Sequence, residues 1–158
     1  MKTLIVYESR YGFVKKAVDF ISVKLLEAPE IMTAKEAKKA DLDRYDNIII
    51  GGSVMAGKVQ KSITTFINSR LDEILTKRAA LLIAAAADTE TLKKEISDAF
   101  PVKLREKALY TAHAGYAFDF GKMNFLVRSM MKKMAKTDKN VEKMNYEELD
   151  NLVKAVNG

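Results

Sequence analysis

Residues 7–18 read "YESRYGFVKKAV". The stretch leaves a short apolar run, "TLIVY" (3–7), and enters a helical pattern in which Val14, Ala17, Val18, Ile21 and Leu25 recur at helical spacing between Phe13 and Leu26. One glycine, Gly12, stands at the join among hydroxyls and cations. A helix beginning there offers unpaired N–H groups and partial positive charge, so a strand-to-helix turn of this composition is an anion site in waiting. A dinucleotide turn needs three glycines in G-x-G-x-x-G, and only Gly12 is present, so that reading fails. Ser9, Tyr11 and Gly12, with Arg10, Lys15 and Lys16 beside them, instead suit one terminal phosphate held by amides and a hydroxyl.

Working outward, "NIIIGGS" (47–53) and "AALLIAAAA" (79–87) are further apolar runs of the kind that become strands buried on both faces. "EIMTA" (30–34) and "KALYTAHAG" (107–115) are weaker cases. Helical spacing returns at 59–75 through Ile63, Phe66, Ile67, Leu71 and Ile74, and a third helix is expected from an Asp88 cap to Phe100, before Pro101. The last helix opens at Asn145 with Glu148 three residues on, a capping-box-like start. Strand and helix in regular alternation predict a parallel sheet with helices on both faces, and ligands in such sheets sit beyond the carboxyl ends of the strands. The loops to search are therefore 8–14, 52–58, 87–90 and 113–121.

Composition narrows the classes. A chain of 158 residues, 48% apolar and 30% charged, is expected to fold as one domain. Cysteine is absent, which excludes disulfides, thiolate metal sites and thiol catalysis; no metal site is expected. The longest apolar stretch, 79–87, falls far short of the roughly 20 residues a bilayer requires, and "TLIVY" is too short for an export segment, so no leader is expected. The formal charge of +6 is concentrated: Lys122 to Lys143 holds seven cations against two acids. That local excess points to an anionic partner.

The second loop contains a decoy. Gly52-x-x-x-x-Gly57-Lys58 matches a triphosphate P-loop until its last position, where Val59 replaces the hydroxyl residue that ligates magnesium. An NTPase is therefore not expected.

"S-R-Y-G-F-V" (9–14) resembles the S/T-x-T-G-x-T phosphate loop of the flavodoxin family, with Ser9 and Gly12 in place and Tyr11 and Val14 where threonines are usual. "IIIGGSVMAGKVQKSITTFI" resembles the loop after the third strand in that family, more closely in the branch containing menaquinone-dependent protoporphyrinogen dehydrogenase. The basic, Met-containing stretch 122–140, which includes Thr137-Asp138-Lys139 near its end and is followed by a closing helix, resembles the same branch. The resemblance implies a flavodoxin-like three-layer α/β sandwich with a five-stranded parallel sheet in the order 2-1-3-4-5. It further implies that FMN binds where the order reverses, its phosphate on Ser9, Arg10, Tyr11, Gly12, Phe13 and Val14. The ring would be wrapped by Ser53, Val54, Met55, Ala56, Gly57 and Lys58, with Gly57 at positive φ turning a carbonyl toward flavin N5.

Small residues ending strand four, Ala86 and Ala87, would leave room for a flat ring with Asp88 at its rim, and Tyr116 would stack on it. His113, the only histidine, is the candidate proton donor. The 122–140 segment reads as one helix with Leu126, Val127, Met130, Met131 and Met134 on one side and Arg128, Lys132, Lys133 and Lys136 on the other, suited to an anionic membrane or a partner.

The expected activity is a flavin oxidoreductase passing electrons from a small reductant, such as protoporphyrinogen, to a quinone, in the cytoplasm and peripherally at the inner membrane face. A flavodoxin-type carrier between protein partners is the alternative, although the pI near 9.4 counts against it, carriers of that type being acidic. Nucleic-acid binding through 122–140 is not expected.

Overall fold

The computed structural model describes all residues, Met1–Gly158. Four strands run parallel through the centre: β1 (Thr3–Tyr7), β3 (Asn47–Met55), β5 (Arg78–Ala84) and β6 (Thr111–Phe118). β2 (Glu30–Thr33) joins β1 in parallel on the far side, so the chain goes from an interior strand outward and then reverses to β3. With the two antiparallel strands set aside, this is the expected order 2-1-3-4-5.

Residues along the central strands alternate between two cores, which is the physical reason the runs look apolar throughout. Leu4, Val6, Ile48, Ile50, Leu81 and Ile83 face one cluster, completed by Phe66 of α3 (Lys61–Ile74), Ala99 of α4 (Thr89–Ala99) and Leu104 of α5 (Val102–Lys107). Ile5, Ile49, Ala80, Leu82 and Ala112 face the other, covered by α1 (Phe13–Ser22) and α7 (Tyr146–Asn157). The three layers are thus helices, sheet, helices. No helix is long and apolar enough to cross a membrane.

The structure corrects several boundaries. The sheet has seven strands, not five, and two are antiparallel: β4 (Lys58–Val59) hairpins back on β3, and β7 (Val141–Met144) adds an edge beside β6. Residues 102–107 form α5, which was not foreseen and takes Lys107 from the start of the expected fifth strand (107–115), because Pro101 begins a helical turn that buries Leu104; the strand itself runs Thr111–Phe118. Strand β5 stops at Ala84, where its register with β6 shifts: Ile83 faces His113 but Ala84 faces Gly115. A short helix, α2 (Ala34–Ala37), was not foreseen; Thr33 and Glu36 form a reciprocal capping box there.

The 122–140 segment is not one helix. A 3-10 turn at Phe120–Lys122 precedes α6 (Phe125–Ala135), capped by Asn124, and Lys136 ends it in the left-handed region at φ 54°. Its two sides also differ from expectation. Val127 and Met131 turn inward with Phe120 and Met123, while Leu126, Met130 and Met134 lie exposed. Arg128 is drawn inward, its guanidinium donating to the Met123 carbonyl at 3.0 Å.

Candidate functional site

The carboxyl ends of β1, β3, β5 and β6 open into a cavity of about 490 Å³ at the point where the strand order reverses. The loop after β1 forms one end. Gly12 takes φ +93°, a conformation that turns the chain into α1 and that L-residues rarely adopt. The Ser9 hydroxyl oxygen accepts from the N–H groups of Gly12 (3.1 Å) and Lys15 (3.3 Å), pinning the loop beneath the helix. Phe13 and Val14, in the first turn, have N–H groups with no intrahelical acceptor. They and Ser9, Arg10 and Tyr11 line the cavity.

The cations around this loop are not equivalent. Lys15 is paired with Asp19 at 2.7 Å and Lys16 with Glu142 at 2.6 Å; those carboxylates raise both ammonium pKa values. Arg10 reaches the Met55 sulfur. Lys122, from the 3-10 turn after β6, extends its Nζ over the loop, donating to the Tyr11 carbonyl at 3.2 Å and lying 3.6 Å from Asp119. A Cβ on Gly12 would sit 3.7 Å from that ammonium. Sequence reasoning missed Lys122 as a site residue, since nothing local links position 122 to position 11.

The second wall is the β3–β4 hairpin. Ala56 and Gly57 have φ 51° and 77°, the paired positive values of a two-residue type I′ turn. Ser53 is used twice in holding it: its N–H donates to the Gln60 side-chain oxygen at 2.9 Å and its hydroxyl accepts from the Gln60 amide at 2.7 Å. Gln60 was also missed in the sequence. Ser53, Val54, Met55, Ala56 and Gly57 line the cavity, and a Cβ on Gly57 would meet nothing within 4 Å. Lys58 pairs with Met55 in the hairpin and Gly12 works through its backbone; neither contributes to the lining.

Ala84 to Ala87 form the floor, followed by Asp88. Asp88 caps α4 through its carboxylate, which accepts from the Thr91 N–H at 2.8 Å; that bond holds its pKa below the usual value. His113 stands behind the floor, outside the lining. Its Nε2 lies 2.7 Å from the Ala85 carbonyl, and because a carbonyl only accepts, this nitrogen carries the hydrogen. Tyr116 lines the cavity and lies 5.7 Å from Phe118, which stacks nearly parallel on Phe120 at 6.0 Å. Met123, Met131, Met134 and Ala135 roof the space, and Tyr11 and Met55 pack against the same small cluster from below.

Chemically, the site joins an amide-rich, cation-tended end to a slot with small residues below and aromatic and thioether groups above. Those are the requirements of a phosphate monoester carrying a flat, largely apolar ring. Of the predicted residues, the structure gathers Ser9, Arg10, Tyr11, Phe13, Val14, Ser53 to Gly57, Ala86, Ala87, Asp88 and Tyr116 about one space, and leaves Gly12, Lys58 and His113 at its margin.

A family model described as flavodoxin domain matches residues 4–145. No curated protein matches the chain. Among solved structures, the chain is similar to two-electron reduced flavodoxin from Megasphaera elsdenii, at 14% identity over 98% of each chain with a TM-score of 0.60. It is also similar to a flavodoxin from the domain Archaea, at 17% identity over 99% of each chain with a TM-score of 0.56. Oxidised flavodoxin 1 from Bacillus cereus is 17% identical over 86% of this chain and 95% of that one, with a TM-score of 0.52. At these identities the likeness establishes the fold.

Proposed function

The chain belongs to the flavodoxin domain family, and on that premise we propose that it is an FMN-binding redox protein, acting as one domain, that passes electrons from a small reductant to a quinone or similar acceptor. The observation that carries this reading is the continuity of one cavity from the α1 amides to the aromatic and methionine roof. The phosphate would be held by the Phe13 and Val14 N–H groups, the Ser9 end of the loop and the Lys122 ammonium, the last offsetting the hydroxyls lost at Tyr11 and Val14. The ring would lie between the Ser53 to Gly57 hairpin and Tyr116, over Ala84 to Ala87. When bound, FMN supplies reversible one- and two-electron chemistry. The chain's own work is to orient the ring and exclude water from its face with Met123 and Met131, while His113, outside the lining, would act on the ring only indirectly by holding the Ala85 carbonyl from behind.

Porphyrinogen as the reductant and menaquinone as the acceptor rest on the resemblance of 48–67 and 122–140 to the protoporphyrinogen dehydrogenase branch. The exposed Phe125 and Leu126 of α6, 77% and 78% accessible, with Lys133 nearby, favour contact with an anionic membrane at its cytoplasmic face. The same exposed apolar edge would serve a protein partner if the chain is a carrier instead. Titrating purified protein with FMN tests the core of the proposal: one-to-one uptake with quenching of flavin fluorescence is expected, and no uptake from micromolar FMN refutes it. Reoxidation of the reduced complex by a menaquinone analogue in anionic vesicles then separates the enzyme from the carrier, which would show none.

A further inference from the structure

One side chain on the cavity wall has no place in this account. Glu95, on the second turn of α4, contributes to the lining, yet its Oε2 is shut off from solvent and has no hydrogen-bond partner. A carboxylate oxygen left bare in this way loses its hydration and gains nothing in return, which favours the protonated acid. Resting on the FMN reading above, we propose that the Glu95 carboxyl holds a flat uncharged ring more tightly when protonated than when ionised, so that flavin loading is coupled to pH.

The charges about Glu95 agree with this assignment. Burial drives its pKa upward, and Asp88 and Asp98 push the same way; His113 on β6 and Lys94 on α4 oppose them. Lys94 is engaged by Asp98 at 2.5 Å, which blunts its effect on the neighbouring carboxyl. Lys58, on the β4 strand that packs against α4, is exposed, and Lys93 on α4 is paired with Glu90 at 3.2 Å. His113 commits Nε2–H to the Ala85 carbonyl, which fixes the orientation of its ring. A ring seated in the cavity would remove further water from this wall and favour the acid still more. Binding therefore takes up a proton, and affinity falls as pH rises through the Glu95 pKa of the empty protein, by at most tenfold per pH unit for one linked proton.

Riboflavin is the probe, because it lacks the phosphate whose own ionisation would bend the curve. Dissociation constants would be measured by fluorescence quenching from pH 5 to 8 for the native protein, Glu95→Gln, and His113→Gln, the last removing the imidazole. Several-fold weakening with pH is expected in the native and His113→Gln proteins, and a flat profile at the low-pH affinity in Glu95→Gln. Equal slopes in the native and Glu95→Gln proteins overturn the inference while leaving the flavin reading intact, whereas no riboflavin or FMN uptake at any pH overturns both. Should Glu95→Gln fail to fold, carboxyl carbon NMR of the native apo-protein decides: the Glu95 signal must titrate above those of the exposed glutamates and move higher with riboflavin, and titration among them overturns the proposal.

Discussion

Replacing Gly115 by alanine should destabilise the protein more than any other single-methyl addition to a glycine. Gly115 sits at the register shift between β5 and β6, with φ +98°, and pairs with Met144 of β7. An added Cβ would lie 1.8 Å from the Lys143 carbonyl oxygen and 3.2 Å from the Asn145 nitrogen. Carbon–oxygen contacts in proteins sit at about 3.3–3.6 Å, so β7 would have to retreat by roughly 1.5 Å. Backbone hydrogen bonds do not survive such a displacement.

Left-handed backbone costs an alanine about 1–2 kcal/mol, and each ladder bond lost about 0.5–1.5 kcal/mol. With two bonds broken the penalty is about 2–5 kcal/mol, a large share of the roughly 5–15 kcal/mol that holds such a domain together. Urea unfolding of the native protein, Gly115→Ala and Gly121→Ala measures it. Gly121 is the control, since its Cβ would meet nothing nearer than the Asp119 carboxylate at 3.5 Å. The control should unfold with the native protein. A Gly115→Ala midpoint equivalent to less than about 1 kcal/mol of loss would refute the reasoning, because the bulge would then tolerate a side chain.

Two further outcomes follow from the site. Lys122→Met should weaken FMN binding about tenfold, the charge-assisted bond being discounted for the exposure of this ammonium, while riboflavin affinity changes less than about twofold; parallel losses in a fluorescence titration would remove Lys122 from the phosphate end. Phe125→Ser combined with Leu126→Ser should abolish sedimentation with phosphatidylglycerol vesicles, and Lys132, Lys133 and Lys136 changed together to Gln should weaken it, both without altering FMN affinity; undiminished sedimentation would rule out α6 as a membrane contact.

Much of the sheet could be read directly from the sequence, because β1, β3 and β5 are buried on both faces and leave unbroken apolar runs. The two loops facing the cavity announced themselves through Gly12 and Gly57, whose positive φ values are what those turns require. What escaped was decided at a distance. β7 carries the exposed Glu142 and Lys143 and has little strand character of its own; it forms because β6 offers an edge and Gly115 lets its backbone come close. Helix α6 ends at Ala135 through Lys136 in the left-handed region, a position where glycine would have been a signal and lysine is not. Lys122 and Gln60 act on partners chosen by tertiary structure, and the orphaned oxygen of Glu95 exists only once α4 has packed into the fold.

The roof owes its order to a cluster of its own: Phe120, Met123 and Met131 are buried together, apart from the two large cores on either side of the sheet. Three side chains are a slight anchor beside the 19 and 16 that secure those cores. Segments with so little buried apolar contact detach at a free energy well below that of global denaturation. The covering over the cavity is therefore expected to open at a lower free energy than the sheet, and altering a methionine there would change how fast a guest comes and goes while the sheet beneath stays as it is.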